Sequence, residues 1–166
     1  MEIPRDTSPN HNPYITGTTP ESANPNQEQP AVKRGSLDIL LVDDDQLSLA
    51  CDKLLLEREG YRVTAVNSGE LALEYAQIRH YDLVLMGLTL PGLSGEHTAQ
   101  LIRDPLGGAV SPRVPIIALS SQTGDRARKR CLKAGMDEFL PKPIIWEDMQ
   151  HAIRCVLRGR NKTQAA

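Results

Sequence analysis

Three groups of polar residues stand directly after apolar runs, and any chemistry in this chain would sit there. Ile39-Leu40-Leu41-Val42 runs into Asp43-Asp44-Asp45, Pro115-Ile116-Ile117-Ala118-Leu119 into Ser120, and Glu138-Phe139-Leu140 leads to Lys142-Pro143. Carboxylates ligate hard cations, a lysine ammonium is a compact charge for an anion, and a hydroxyl both donates and accepts. The set suits an ionic pocket. A plainer reading is also open: acids favour helix N-termini, so the aspartates are also a natural helix start, with Asp45 as its cap. Ser120 reads as a pocket hydroxyl or a plain turn serine. Thiol chemistry is not indicated. Cys51, Cys131 and Cys155 form no C-x-x-C, and no activating histidine adjoins them in sequence. They read as reduced thiols at small core positions. No glycine-rich phosphate loop follows the first apolar run, which argues against nucleotide binding.

Five strands and five helices must place these groups. The expected strands are residues 39–42, 62–66, 82–86, 115–119 and 138–140. The expected helices are 46–59, 69–79, 96–103, 124–134 and 147–158. Leu47, Cys51, Leu54 and Leu55 recur at helical spacing in the first helix, and Ser68 is positioned to cap the second. Strict alternation implies a parallel sheet covered by helices on both faces. Ligands in such sheets bind at the carboxyl ends of the strands, where the three polar groups fall.

The chain has 166 residues, 21 acidic and 19 basic, for a net charge of −2. That balance excludes nucleic-acid binding driven by net charge alone. No apolar run reaches about 18 residues, so no membrane span is expected, and the N-terminus lacks the apolar stretch of a secretory signal. A cytoplasmic protein is the expectation. Residues 1–35 hold six of the twelve prolines and no periodic apolar pattern. They read as a disordered tail before a domain at 36–159, with 160–166 a short flexible end. Too few residues follow for a separate output module.

The ordered motifs resemble the receiver domain of two-component response regulators. They are Ile39 to Asp45, Tyr81 to Met86 with Pro91-Gly92-Leu93-Ser94-Gly95, Pro115 to Ser120, and Ala134 to Pro143. Cys131 to Asp137 is similar to receivers attached to hybrid histidine kinases. The resemblance implies a flavodoxin-like (βα)5 doubly wound sheet of order 2-1-3-4-5. It implies Asp43 and Asp44 as Mg2+-binding acids, Lys142 as the phosphate lysine, Ser120 as the switch hydroxyl and Phe139 as the switch aromatic, with a cis bond before Pro143. A histidine kinase or histidine phosphotransfer protein is the implied partner.

One position departs from the family pattern. In Met86-Gly87-Leu88-Thr89-Leu90-Pro91 the family carries its phosphoacceptor aspartate where Gly87 stands. Glycine forms no acyl phosphate and gives a cation no ligand, so Mg2+ binding should be weak. With two carboxylates facing Lys142, a direct pair to Asp43 or Asp44 is expected to hold the pocket without phosphate. The chain then reads as a non-enzymatic, single-domain pseudo-receiver acting by protein binding. Two alternatives stay open. One is an ordinary phosphoaspartate receiver that has lost only its acceptor; the other is a small-ligand-binding doubly wound domain. Asp44 and Thr89 are the candidate substitute acceptors.

Two surfaces are candidates for partners. Leu47 and Leu54 lie nearly opposite Leu49 and Leu56 on the first helix, so some of these leucines must be exposed. Arg126, Lys129, Arg130 and Lys133 share one face of the fourth helix, either as a solvated face or as a docking site for an acidic partner. The region from helix four to helix five is also where a homodimer would form. Without interleaved aromatics, no nucleic-acid partner is expected.

Overall fold

The structure, a computed structural model, describes residues 36–163. The expected tail at 1–35 and the last three residues lie outside the described residues. Five strands, β1 (Asp38–Val42), β2 (Arg62–Val66), β3 (Leu83–Gly87), β4 (Ile116–Ser120) and β5 (Glu138–Pro141), form one parallel sheet of order β2-β1-β3-β4-β5. The helices are α1 (Gln46–Arg58), α2 (Gly69–Ile78), α3 (Gly95–Arg103), α4 (Asp125–Lys133) and α5 (Trp146–Thr163). This is the flavodoxin-like (βα)5 fold that the motif order implies.

Successive strand side chains point to opposite faces, so each apolar strand feeds two cores. Ile39, Leu41, Leu83, Leu85, Ile117 and Leu119 meet Leu56 of α1 and Met149 and Ile153 of α5. Leu40, Val42, Val84, Met86, Ile116 and Ala118 meet Ala72 and Ala76 of α2, Ala99 and Ile102 of α3, and Ala127 and Cys131 of α4. Strands buried on both faces need continuous apolar runs, which is why β1, β3 and β4 read so clearly.

Local chemistry starts the helices. Asp45 caps α1, accepting from the Ser48 amide at 2.9 Å and its hydroxyl at 2.6 Å. Ser68 and Ser94 cap α2 and α3 through the amides of Leu71 and His97, each at 3.3 Å.

Several boundaries differ from the sequence expectation. β3 and β4 each start and end one residue later. The Asp82 side chain accepts from the Asp38 amide at 2.9 Å, holding Asp82 at the mouth of the sheet. Gly87 instead enters the ladder opposite Leu119. α5 runs past Arg158 and through Gly159 to Thr163, with no proline after the buried Met149, Ala152 and Ile153 to stop it. Two of the three cysteines are not core residues. Cys131 is buried, but Cys51 and Cys155 are exposed, since the inward stripes of α1 and α5 run through Leu56 and through Met149 and Ile153.

The turn from β3 to α3 closes on itself. The Gly95 amide donates to the Leu88 carbonyl at 3.0 Å, and a Cβ at Gly95 would overlap the carbonyl oxygen of Gly87. That neighbour is backbone and cannot rotate away. Gly95→Ala is therefore expected to destabilise the domain by about 1–3 kcal/mol, as overpacking does. Urea denaturation measures it, and an unchanged midpoint would show that the turn has slack.

Candidate functional site

The strand order places the carboxyl ends of β1, β3 and β4 side by side, and the residues just beyond them line one cavity. Asp43, Asp44, Gly87, Thr89, Ser120 and Lys142 all border it, with a volume of about 340 Å³. The acids follow β1, Gly87 ends β3, Ser120 ends β4 and Lys142 follows β5. The sheet thus brings together residues up to 99 positions apart.

Asp43 is the buried charge of this cavity, at 1% exposure. Its Oδ2 accepts a hydrogen bond from Lys142 Nζ, and its Oδ1 accepts the Asp45 amide at 3.1 Å. Lys142 is the expected partner of an aspartate here, and Asp43 is the one it meets. Its backbone is fixed too: the Lys142 amide donates to the Ser120 carbonyl at 2.8 Å, and the Lys142–Pro143 peptide is cis. Asp44 is exposed. Asp45 also borders the cavity, where it caps α1, and its hydrogen bonds from Ser48 hold its carboxyl below the usual range.

Ser120 is buried, and its Oγ accepts the Gln122 amide at 3.0 Å. Thr89 is exposed at the rim. Phe139 is buried within the α2/α3/α4 core and does not border the cavity. Gly87 has no positive φ, so its backbone does not require glycine. The constraint is space: a Cβ there would lie 2.9 Å from the Val42 carbonyl oxygen. β1 and β3 approach too closely at this point for any side chain to enter without a backbone shift.

A magnesium ion needs several hard oxygen ligands in near-octahedral geometry. Among the described residues no group of three His, Cys, Asp or Glu side chains gathers where it could hold a metal. Three carboxylates border the cavity, but both oxygens of Asp43 already have partners and Asp45 is engaged by Ser48 as the α1 cap. The residues present do not make a built cation site.

Beside this cavity a groove of about 520 Å³ runs between α1 and the loop after β5, lined by Leu47, Cys51, Asp52, Lys142, Pro143 and Ile144 among others. Leu47 and Leu54 are 73% and 70% exposed. Leu49 and Leu56, on the opposite side of α1, pack inward. Asp52 carries no signal of its own in the sequence, although it follows Asp45 and Ser48 at helical spacing. Nor does the pair on α5, where the Cys155 Sγ lies 3.4 Å from His151 Nε2; the histidine stands one helical turn away, not next in sequence.

Burial and the nearby Asp43 carboxylate push the Asp52 carboxyl above its usual range, with Lys142 opposing. An acid whose folded pKa is raised costs stability once pH climbs above its unfolded value. Asp52→Asn is therefore expected to stabilise the domain at neutral pH, with the gain fading as pH falls toward the usual carboxylate range. Thermal denaturation across about pH 3–7 reads this; equal effects at both ends would sever Asp52 from the charge of the cavity.

With this geometry in place, the comparisons with known proteins are direct. The response regulator receiver domain matches residues 39–154. The sensor histidine kinase GacS of Pseudomonas protegens is 33% identical over 76% of this chain, which spans 14% of that kinase. The transcriptional regulatory protein CseB of Streptomyces coelicolor is 33% identical over 77% of the chain and 55% of its own length. Among solved structures, the receiver domain of the sensor histidine kinase PA1611 from Pseudomonas aeruginosa PAO1 is 35% identical with a TM-score of 0.66, covering 74% of this chain and 98% of its own. That receiver has a magnesium ion coordinated in its active-site cleft. Fold, motif order and relatives agree, and the chain belongs to the response regulator receiver domain family of two-component signalling.

Proposed function

We propose that this chain is a pseudo-receiver: it acts in a phosphorelay through protein binding and takes no phosphoryl group at the end of β3, where Gly87 replaces the acceptor aspartate. The observation that carries this reading is the Lys142–Asp43 pair beside Gly87. The lysine that would steady a phosphoryl group neutralises a carboxylate instead. Asp43 and Asp44 are the groups a Mg2+ ion would meet, and they hold it weakly. Ser120, Thr89, Phe139 and Pro143 are the remaining switch residues of this proposal, and Ser120 is engaged by its own turn. The partner is a histidine kinase or histidine phosphotransfer protein, docked on the exposed Leu47 and Leu54 of α1. The protein has no catalytic role of its own and works in the cytoplasm; no described helix is long and apolar enough to cross a membrane. The domain spans 36–159.

A second reading has a specific observation behind it. Asp43, Asp44, Ser120 and Lys142 border one cavity, which fits an ordinary receiver that has lost only its acceptor. The two are separated by restoring the carboxylate. Intact-mass analysis after incubation with acetyl phosphate and Mg2+ is expected to show no phosphoryl mass on the unaltered chain. A phosphoryl adduct on the unaltered chain, at Asp44 or Thr89, would overturn the proposal. Gly87→Asp must shift the Val42–Asp43 backbone slightly to fit. If it then gains the adduct and binds Mg2+ at least about tenfold tighter by calorimetry, one missing anionic ligand accounts for the block. If it gains neither, the whole pocket has closed around glycine, and a receiver lacking only its acceptor is excluded.

A further inference from the structure

One pair of metal-ligating side chains lies outside the strand-end cavity. On α5 the Cys155 Sγ and the His151 Nε2 stand 3.4 Å apart, and both residues are exposed. They are four positions apart in the chain, so they share one face of the helix. The opposite face is anchored: Met149, Ala152 and Ile153 are buried, and Val156 and Leu157 pack against the same core. The backbone that carries the pair is therefore fixed before anything binds. Among the described residues neither side chain has a polar partner other than its neighbour in the pair. The arrangement is particular to Cys155. The exposed Cys51 hydrogen-bonds to no histidine among the described residues.

We propose that His151 and Cys155 form a two-point site for a zinc-class divalent cation. The spacing is what such an ion requires. Zinc binds thiolate sulfur at about 2.3 Å and imidazole nitrogen at about 2.0–2.1 Å, so at a tetrahedral angle the two ligands stand about 3.5 Å apart. The observed 3.4 Å needs almost no adjustment. Ligands at i and i+4 of a helix meet one ion from one face, as paired histidines do in helical zinc sites. On binding, the thiol gives its proton to solvent, and the sulfur and imidazole lone pairs go to the metal; no electron is transferred. No third ligating side chain joins the pair among the described residues, so water or a ligand from outside the chain completes the tetrahedron. The donor set selects against Mg2+ and Ca2+, which take oxygen ligands. Charge along the helix is balanced around the pair: Glu147 and Asp148 lie one turn before His151, and Arg154 and Arg158 flank Cys155. A Cys–His pair also activates a thiol for attack on a substrate. This pair lies on an open helix face, which suits an ion better than a reaction that must exclude water. Neither residue borders the strand-end cavity, so the proposal holds whatever the fate of Gly87.

The test uses the full chain, reduced and without an affinity tag, with Co2+ as the spectroscopic probe. The unaltered protein is expected to give a sulfur-to-cobalt charge-transfer band. Zn2+, which binds such sites more tightly than Co2+, abolishes the band, and Mg2+ in about tenfold excess leaves it. Cys155→Ser is expected to remove the band. His151→Gln is expected to weaken Co2+ binding at least about tenfold, since even changes behind a ligand cost about 10–100-fold. Cys51→Ser, a surface change elsewhere, is expected to leave binding within about twofold. Circular dichroism confirms that each variant is folded. A second readout needs no variant: Zn2+ is expected to slow alkylation of Cys155 by iodoacetamide at least about fivefold, mapped by peptide mass, and to leave Cys51 unprotected. The proposal is overturned if the band is absent, survives Cys155→Ser, or is removed by Mg2+. It is also overturned if His151→Gln binds Co2+ as tightly as the unaltered chain, because a single thiol would then account for the band. Equal protection of Cys51 and Cys155 by Zn2+ overturns it too.

Discussion

A carboxylate as buried as that of Asp43 needs a partner, because an unpaired charge in a protein interior costs several kcal/mol or forces neutralisation. Asp43 finds its partner in Lys142, 99 residues later. The two residues belong to the ends of β1 and β5, which are separated in the sheet by β3 and β4. The pair can form only when all four strands are in register. It depends on the right-handed, doubly wound order of the sheet, and it ties the strand ends that the order brings together. The Lys142 amide bonded to the Ser120 carbonyl holds the base of that bridge, and the Asp45 amide bonded to Asp43 holds its other end. Asp45 in turn starts α1. One buried charge therefore connects both edges of the cavity to the first helix.

Much of this is legible in the sequence because burial on both faces leaves a plain record. β1, β3 and β4 are unbroken apolar runs, and the polar residues at their carboxyl ends can only lie at one rim of a parallel sheet. β2 falls residue for residue where the sequence puts it, since a turn glycine precedes it and Ser68 caps the helix that follows. Less legible is anything decided by a competition between equivalent residues. α1 has leucines nearly all round, and its sequence does not say that Leu56 faces in while Leu47 and Leu54 face out; the position of α5 decides that. Three aspartates border the cavity with Lys142, and the burial of Asp43, a tertiary property, sets it apart as the partner. Cys51 and Cys155 look like small core residues for the same reason. Their spacing is helical, but the inward stripe passes beside them. Asp52 and the Cys155–His151 contact escape a reading of the sequence because each is a matter of one helical turn, not of neighbours in the chain.

Gly87 changes the cavity in two ways that reinforce each other. It brings no carboxylate, so Asp43 is the one buried acid of the cavity, beside the exposed Asp44 and Asp45, and Lys142 pairs with it. It also removes volume. With no side chain at the end of β3, the Val42 carbonyl and Gly87 approach to a distance that no Cβ would tolerate. The charge deficit and the close approach both favour a closed, self-satisfied pocket. A ligand entering it would have to displace Lys142 from Asp43 before gaining any contact of its own.

A pocket satisfied from within shifts the weight of recognition to the outside of the domain, and there the two sides of the sheet differ. The α1 side offers exposed leucines beside a groove, with Asp52 as its half-buried charge. The α4 side offers a helix of five bases and one acid, of which Arg128 and Arg130 are paired within the fold. Apolar contact gives binding energy with little direction, whereas a patterned row of charge discriminates between partners and speeds their encounter. Because the two faces lie on opposite sides of one rigid sheet, a partner on one leaves the other free.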